Sequence, residues 1–129
     1  MNMHQNYLNL LGERLGLPLC FDENQQCLLL LDENLLVSLS ISGDGWLLRG
    51  LLMEVSPDIS STFWREILVI NKELAEQTRG TLAYVEESQA LLYMDSVPYP
   101  GDTNDLVDRL EHFIAHQEKL QDLLRTTNH

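Results

Sequence analysis

Positive charge is scarce in this sequence of 129 residues, which has 8 Lys and Arg residues against 20 Asp and Glu residues. The formal net charge is −12 at pH 7. A surface this acidic repels the phosphate backbones of nucleic acids and the headgroups of anionic lipids. We therefore expect no nucleic acid as a partner. The charge favours either a basic partner or simple solubility of a chain with many apolar residues.

Long apolar runs are also missing, since the longest one covers only Cys27–Leu31. A helix that spans a membrane needs roughly 18 or more such residues. The first twenty residues do not have the layout of a signal peptide, because Glu13 and Arg14 interrupt the leucines. We therefore expect no membrane insertion and a cytoplasmic location.

Cysteine occurs only twice, as Cys20 and Cys27. A bridge between them is conceivable, but the reducing conditions of a cytoplasm disfavour it. We therefore expect two unpaired thiols, with Cys27 packed as a small apolar side chain in a core strand.

Recognisable catalytic and metal-binding patterns are absent. His112 and His116 lie one helical turn apart, but the zincin pattern needs a glutamate directly after the first histidine, where Phe113 stands. Two polar residues on a solvated helix face explain this pair better. The glycines of 42–45 lack the lysine of a phosphate-binding loop, and neither cysteine has a histidine near it in sequence. We expect no enzyme, no catalytic residue, no cofactor and no metal.

Leucine, in contrast, is abundant and regularly spaced. Tyr7, Leu8, Leu11 and Leu15 recur at helical spacing, and Gly16 is a natural helix end. Three strands follow, over 27–31, 35–41 and 46–55, with a turn at 42–45. The short connections predict an antiparallel meander. Gly50, in the middle of the third strand, predicts a bulge or a close backbone approach.

The second half of the chain predicts two more helices around a hairpin. Ser60, Ser61 and Thr62 compete as N-cap of the second helix, which Gly80 follows. A hairpin is predicted over 81–94, turning at 86–89, and the third helix starts at a cap formed by Asp102 or Thr103. The predicted order is α-β-β-β-α-β-β-α. We therefore expect one α+β domain over residues 1–129, with a tail that frays from Thr126 to His129.

This order, together with the length and the acidity, resembles the class I type III secretion chaperones. The resemblance rests on the leucine-rich first helix that ends at Leu15-Gly16-Leu17, the meander, Phe63 and Trp64 in the second helix, the Ala83-Tyr84 hairpin, and the late Asp105-Leu106 helix. It implies a homodimer in the bacterial cytoplasm that keeps a secreted effector protein soluble and competent for export. It also implies that the effector is bound as an extended segment, and that the export ATPase is a further partner of some members.

The expected contact surfaces are apolar. The second helix has a wider apolar surface than one stripe, so we assign the dimer interface to Phe63, Trp64, Ile67 and Leu68. We assign effector binding to leucines of the first helix and of the strands: Leu8, Leu11, Leu15, Leu29, Leu31, Leu36 and Leu48. Alternation does not decide which sheet face is outward, and a core role for the helix leucines remains open.

Two other functions stay open. One is a protein-interaction or regulatory module of the same fold without a role in secretion. The other is a small-molecule binding protein or an enzyme with Trp46 or Trp64 in its pocket. The second alternative needs convergent polar groups in a cavity, which the sequence does not indicate.

Overall fold

The computed structural model describes residues 3–31, 34–98 and 103–126, and it confirms the predicted order of helices and strands. The elements are α1 (Met3–Leu15), β1 (Gln26–Leu31), β2 (Leu35–Ser42), β3 (Gly45–Glu54), α2 (Ser61–Glu76), β4 (Thr81–Val85), β5 (Ala90–Val97) and α3 (Thr103–Thr126). Two predictions lie outside the described residues: Asp102 as a helix cap and the fraying of 127–129.

The strands form one antiparallel sheet in the order β1-β2-β3-β5-β4. The meander of β1, β2 and β3 is as predicted, and Gly43 at φ +60° makes its second turn. The hairpin of β4 and β5 then joins the sheet through β5, which pairs with β3. This placement leaves β1 and β4 as the two edges.

One face of the sheet, the inner face, lies under the helices. Its β1–β3 side chains are Cys27, Leu29, Val37, Leu39, Trp46 and Leu48, all at most 3% exposed. Helix α3 crosses β2, β3 and β5, and α1 packs beside α3. The ring of His4 in α1 contacts Trp46 edge-on at 5.1 Å, and Phe21 stacks on Trp46 at 5.9 Å. Each buried apolar side chain here stabilises the fold by about 1.5–3 kcal/mol.

Gly50 is a point of close approach between α3 and the sheet. A Cβ at this position would lie 2.4 Å from Cδ of Gln117, so no larger residue fits without movement. The buried Gln117 amide donates hydrogen bonds to the carbonyls of Leu36 and Leu51, at 3.1 and 3.2 Å. The approach predicted at Gly50 is confirmed, and the group that approaches is a helix side chain. A register shift also follows between Leu51 and Met53.

Helix α2 covers the β4 edge. Ser60 is its N-cap, and its hydroxyl accepts a hydrogen bond from the Phe63 amide. The Asn71 side chain accepts from the Leu82 amide at 2.7 Å and donates to the Leu82 carbonyl at 3.2 Å. Because Asn71 satisfies both groups, it occupies the place of a further strand at this point.

Candidate protein-binding surface

The second face of the sheet, which we call the outer face, carries large apolar side chains that no helix buries. It comprises Leu28, Leu30, Leu36, Leu47, Arg49, Leu51, Leu92 and Met94. Leu28 and Leu30 are 59% and 64% exposed, and Leu36 is 37% exposed. The other members are partly buried by their neighbours in the sheet. Contiguous exposed apolar side chains of this kind mark interaction sites in soluble proteins.

The strand register arranges these side chains in rows across the sheet. Leu30 lies opposite Leu36, and Leu51 lies opposite Leu92, which in turn faces Ala83. The neighbouring row contains Leu28 opposite Ser38, and Ser38 opposite Arg49. The first row is therefore apolar from edge to edge, whereas polar groups interrupt the second.

Arg49 and Ser38 give the outer face a polar centre. Within the part of the chain that the structure describes, no carboxylate lies within 4 Å of the Arg49 guanidinium, and the Ser38 hydroxyl is buried without a hydrogen-bond partner. A shallow cavity of 150 Å³ opens here between Leu28, Leu36 and Leu51. A partner can thus find hydrogen-bond donors and acceptors inside an apolar surround, which is the usual composition of a protein interface.

The two edges of the sheet differ in their access to a further strand. Among the described residues, β1 pairs only with β2; Asp22 binds the Gln26 backbone at its start, and beyond Gln26 its other side is open. The β4 edge is covered where Asn71 binds the Leu82 backbone. An open edge next to an exposed apolar face is the geometry that accepts an extended peptide as an additional strand.

The structure corrects the expected exposure of four leucines that we assigned to effector binding. Leu8 and Leu11 are 0% exposed, because they face the sheet and α3. Leu29 and Leu48 are 3% and 1% exposed, because the register places them on the inner face. These residues form the core.

The other three leucines of that set are more accessible. Leu15 and Leu31 are partly buried against the core, and Leu36 lies on the outer face. Sequence reasoning missed Leu28 and Leu30. A signal was present: β2 alternates leucine or valine with serine, and pairing it to β1 puts Leu28 and Leu30 on the serine side.

The residues assigned to the dimer interface divide into two pairs. Phe63 and Ile67 are 0% and 6% exposed within the single chain, which corrects the expectation that they offer surface to a second copy. Trp64 is half-buried and makes an edge-on contact with Tyr84 at 5.0 Å. Leu68 is 68% exposed, and Val69 beside it, which sequence reasoning missed, is 55% exposed. The available apolar surface of α2 is therefore centred on Leu68 and Val69.

The histidines and cysteines that the structure describes do not assemble into a metal site. Among the described residues, no three His, Cys, Asp or Glu side chains could hold a metal ion together. His112 Nδ1 lies 2.8 Å from the Asp108 carbonyl, and His116 pairs with Arg79. Both thiols are free, as predicted, with Cys20 exposed and Cys27 buried, and burial raises the pKa of Cys27.

The chain is similar to a family of known chaperones. Residues 6–121 match the Tir chaperone protein (CesT) family. This match covers well over half of the sequence and includes every element except the ends of α1 and α3. Within the described part of the chain, no helix is both long and apolar enough to cross a membrane.

Solved structures show the same fold. A chain of the ExsC–ExsE complex superposes with a TM-score of 0.82 at 20% identity, covering 96% of this chain and 97% of that one. A chain of the HopA1–SchA chaperone–effector complex gives a TM-score of 0.75 at 20% identity, with 95% and 98% covered. The Yersinia pestis type III secretion chaperone SycH in complex with a fragment of YscM2 gives 0.66 at 15% identity, with 92% and 99% covered.

Proposed function

The chain belongs to the Tir chaperone protein (CesT) family, and from this premise we propose that it is a type III secretion chaperone. In this role it binds a secreted effector protein as an extended segment and keeps it soluble and competent for export. The proposal takes support from the structural relatives, which include a chaperone–effector complex and a type III secretion chaperone bound to a protein fragment. It places the protein in the bacterial cytoplasm, acting without catalysis and as one domain over residues 1–129.

One observation carries the proposed mode of binding: the open β1 edge borders the apolar outer face. An extended segment that pairs with β1 would direct alternate side chains to the side of Leu28 and Leu30. Each apolar side chain buried there would contribute about 1.5–3 kcal/mol. Ordering a flexible segment costs free energy, so several such contacts must act together.

The acidic surface fits this mode. A chain that presents an apolar sheet face to water is prone to self-association, and a net charge of −12 opposes that association. The acidic side chains would also remain outside the contact, because the charged residue that lies among the apolar side chains of the outer face is the basic Arg49.

We also propose that the protein works as a homodimer and that α2 supplies the contact through Trp64, Leu68 and Val69. These side chains are exposed or half-buried in one chain, and a two-fold contact would bury both copies at once. Light scattering at micromolar concentration is expected to give twice the chain mass. Leu68→Arg is expected to give a folded monomer, whereas an unchanged dimer in this variant would move the interface away from α2.

The effector-binding surface is tested with a double variant, Leu28→Asp with Leu30→Asp. Copurification from the native bacterium, followed by mass spectrometry, identifies the partner of the unmodified protein. The double variant is expected to lose this partner while circular dichroism remains unchanged, because both side chains lie outside the core. The matched control is Leu10→Asp, which changes a leucine that is 46% exposed on α1, a helix on the inner side of the sheet.

Two results would count against the proposal. If the folded double variant retains the partner, the outer face and the β1 edge are not the binding surface. If the identified partner is not a secreted protein, the chain acts as a regulatory module of the same fold. Addition of a chelator or of ATP is expected to leave binding unchanged, and the same copurification tests whether the export ATPase is a second partner.

A further inference from the structure

A second feature of the molecule lies on the inner side of the sheet, far from the outer face. A cleft of 270 Å³ opens between the loop after α2, strand β5 and helix α3. We call it the basic cleft, and its titratable lining residues are Arg79, Tyr93, Asp95, Arg109, His112 and His116. Two of the six arginines of this acidic chain lie here together with two of its four histidines.

The local structure explains how these groups come together. Arg109, His112 and His116 lie three and four residues apart on α3, so they share one helix face. Arg79 reaches the same place from the loop before β4, where Gly80 at φ +96° turns the chain. The Tyr93 hydroxyl donates a hydrogen bond to the Arg79 carbonyl at 2.5 Å and so holds this loop against the sheet. Burial raises the pKa of Tyr93 to about 12, so the hydroxyl remains a donor.

Arg79 has an unusual partner. Its Nη1 lies 2.9 Å from Nε2 of His116. A guanidinium has only donors, so Nε2 must accept, and the imidazole is neutral in this arrangement. Among the described residues no carboxylate lies within 4 Å of Arg79, although the chain has 20 acidic residues. The guanidinium therefore keeps donors and charge that a neutral imidazole does not satisfy.

The remaining groups around His116 are mostly positive. Burial lowers the pKa of His116 below 6.5, and the neighbouring charges of Arg79, Lys119 and His112 lower it further. Asp95 acts in the opposite direction, but its carboxylate also accepts a hydrogen bond from the Ser96 amide and lies 4.0 Å from Arg109. The cleft thus combines two guanidinium groups and two imidazoles with one carboxylate.

We propose that the basic cleft binds a phosphoryl oxyanion, held by Arg79 from the α2–β4 loop and by Arg109 from α3. Arginine forks match the oxygens of phosphate, and donors that arrive from separate elements suit a tetrahedral anion better than a planar carboxylate. His116 accepts from Arg79 through Nε2 and so positions this guanidinium at the cleft, which His112 also lines. This site is independent of the outer face and of the proposed chaperone role.

The test is an NMR titration of the full chain, observed through the histidine ring protons, at constant ionic strength. Sulfate serves as the first probe, because it stays doubly charged across the range in which histidine titrates. Binding is expected to saturate and to shift the ring signals of His116, which lies beside Arg79, and of His112, which lines the same cleft. Inorganic phosphate and a phosphoserine peptide then distinguish a free ion from a modified side chain as the source, and acetate tests the anion class.

Matched variants complete the experiment. Arg79→Gln and Arg109→Gln are each expected to weaken sulfate binding about ten-fold or more, because each removes a charge-assisted donor. Arg125→Gln removes the same charge from the exposed last turn of α3 and is expected to change nothing. A shift of the histidine ring signals that is linear in sulfate concentration and equal in all variants would overturn the proposal. Acetate that competes with sulfate as strongly as phosphate does would also overturn it. Since both arginine side chains are exposed, circular dichroism is expected to show the variants folded.

Discussion

The inner and outer faces of the sheet are both rich in leucine, but they differ in what lies over them. Leu29 and Leu30 are neighbours in β1, and their exposed fractions are 3% and 64%. Leu29 lies on the inner face, within the core, whereas Leu30 lies on the outer face, which the helices leave open. Residue type alone therefore does not assign a leucine to the core or to a contact surface. The position of the helices does.

In the central strands β2 and β3, the two faces of the sheet also differ in their polar residues. Ser38, Ser40 and Arg49 lie on the outer face of β2 and β3, and the inner face of these strands carries Val37, Leu39 and Leu48. A helix packed over the outer face would have to bury Arg49, which costs free energy unless the charge is paired. This polar centre is a physical reason why the helices pack on the inner face.

The largest expected effect concerns the two neighbouring leucines of β1, Leu29 and Leu30. Leu29→Ala is expected to lower the free energy of unfolding by about 2–5 kcal/mol, because it leaves a cavity under the helices. Leu30→Ala is expected to change it by less than about 0.5 kcal/mol, since the side chain is exposed. Urea denaturation of both variants measures the difference. Equal losses would mean that the outer face is covered in the folded protein.

The next prediction concerns the close approach of α3 to the inner face. Gly50→Ala is expected to lower the free energy of unfolding by about 1–3 kcal/mol, because its Cβ would lie 2.4 Å from the Gln117 side chain. Combining it with Gln117→Ala removes the clash, so the two losses are expected to be less than additive in urea denaturation. Fully additive losses would show that Gly50 does not contact Gln117.

A smaller effect is expected at the covered edge. Asn71→Ala removes the partner of the Leu82 amide and carbonyl, and it is expected to lower the free energy of unfolding by about 1 kcal/mol. Hydrogen exchange of the Leu82 amide is expected to accelerate in the variant. Unchanged exchange would show that Asn71 does not protect this edge, and the contrast with the open β1 edge would be lost.

The smallest expected effect is a pH dependence at His116. Its pKa in the folded state is lowered from the usual 6.5, so the unfolded chain takes up this proton first as the pH falls. The contribution of His116 to the free energy of unfolding is therefore fully present above the pKa that this group has in the unfolded chain. It declines as the pH falls below about 6.5. His116→Gln is expected to flatten the pH dependence of stability between about pH 5 and 7, in buffer without sulfate or phosphate. Parallel curves for the two proteins would contradict the lowered pKa.

Local residue chemistry was sufficient to predict most of the elements. Helical spacing of Leu8 and Leu11 predicted α1, and Ser60 was among the predicted caps of α2. Gly50 was predicted to mark a bulge or a close backbone approach, and a side chain of α3 does pack tightly on the backbone there. The outer face could be predicted from the sequence only in part. Because the run Leu28–Leu31 places leucine on both sides of β1, alternation there does not show which side is exposed.

By itself the sequence determined the order of the elements, the antiparallel meander, the free thiols and the acidic surface, since each depends on short-range spacing or on composition. Tertiary structure alone decided that Leu8, Leu11, Phe63 and Ile67 belong to the core, because burial depends on which elements pack against each other. It also decided that Leu28, Leu30 and Leu36 face outward and that Arg79 meets His116 across 37 residues. Such contacts arise from the way β5 and α3 fold back on the meander, and no local pattern contains that information.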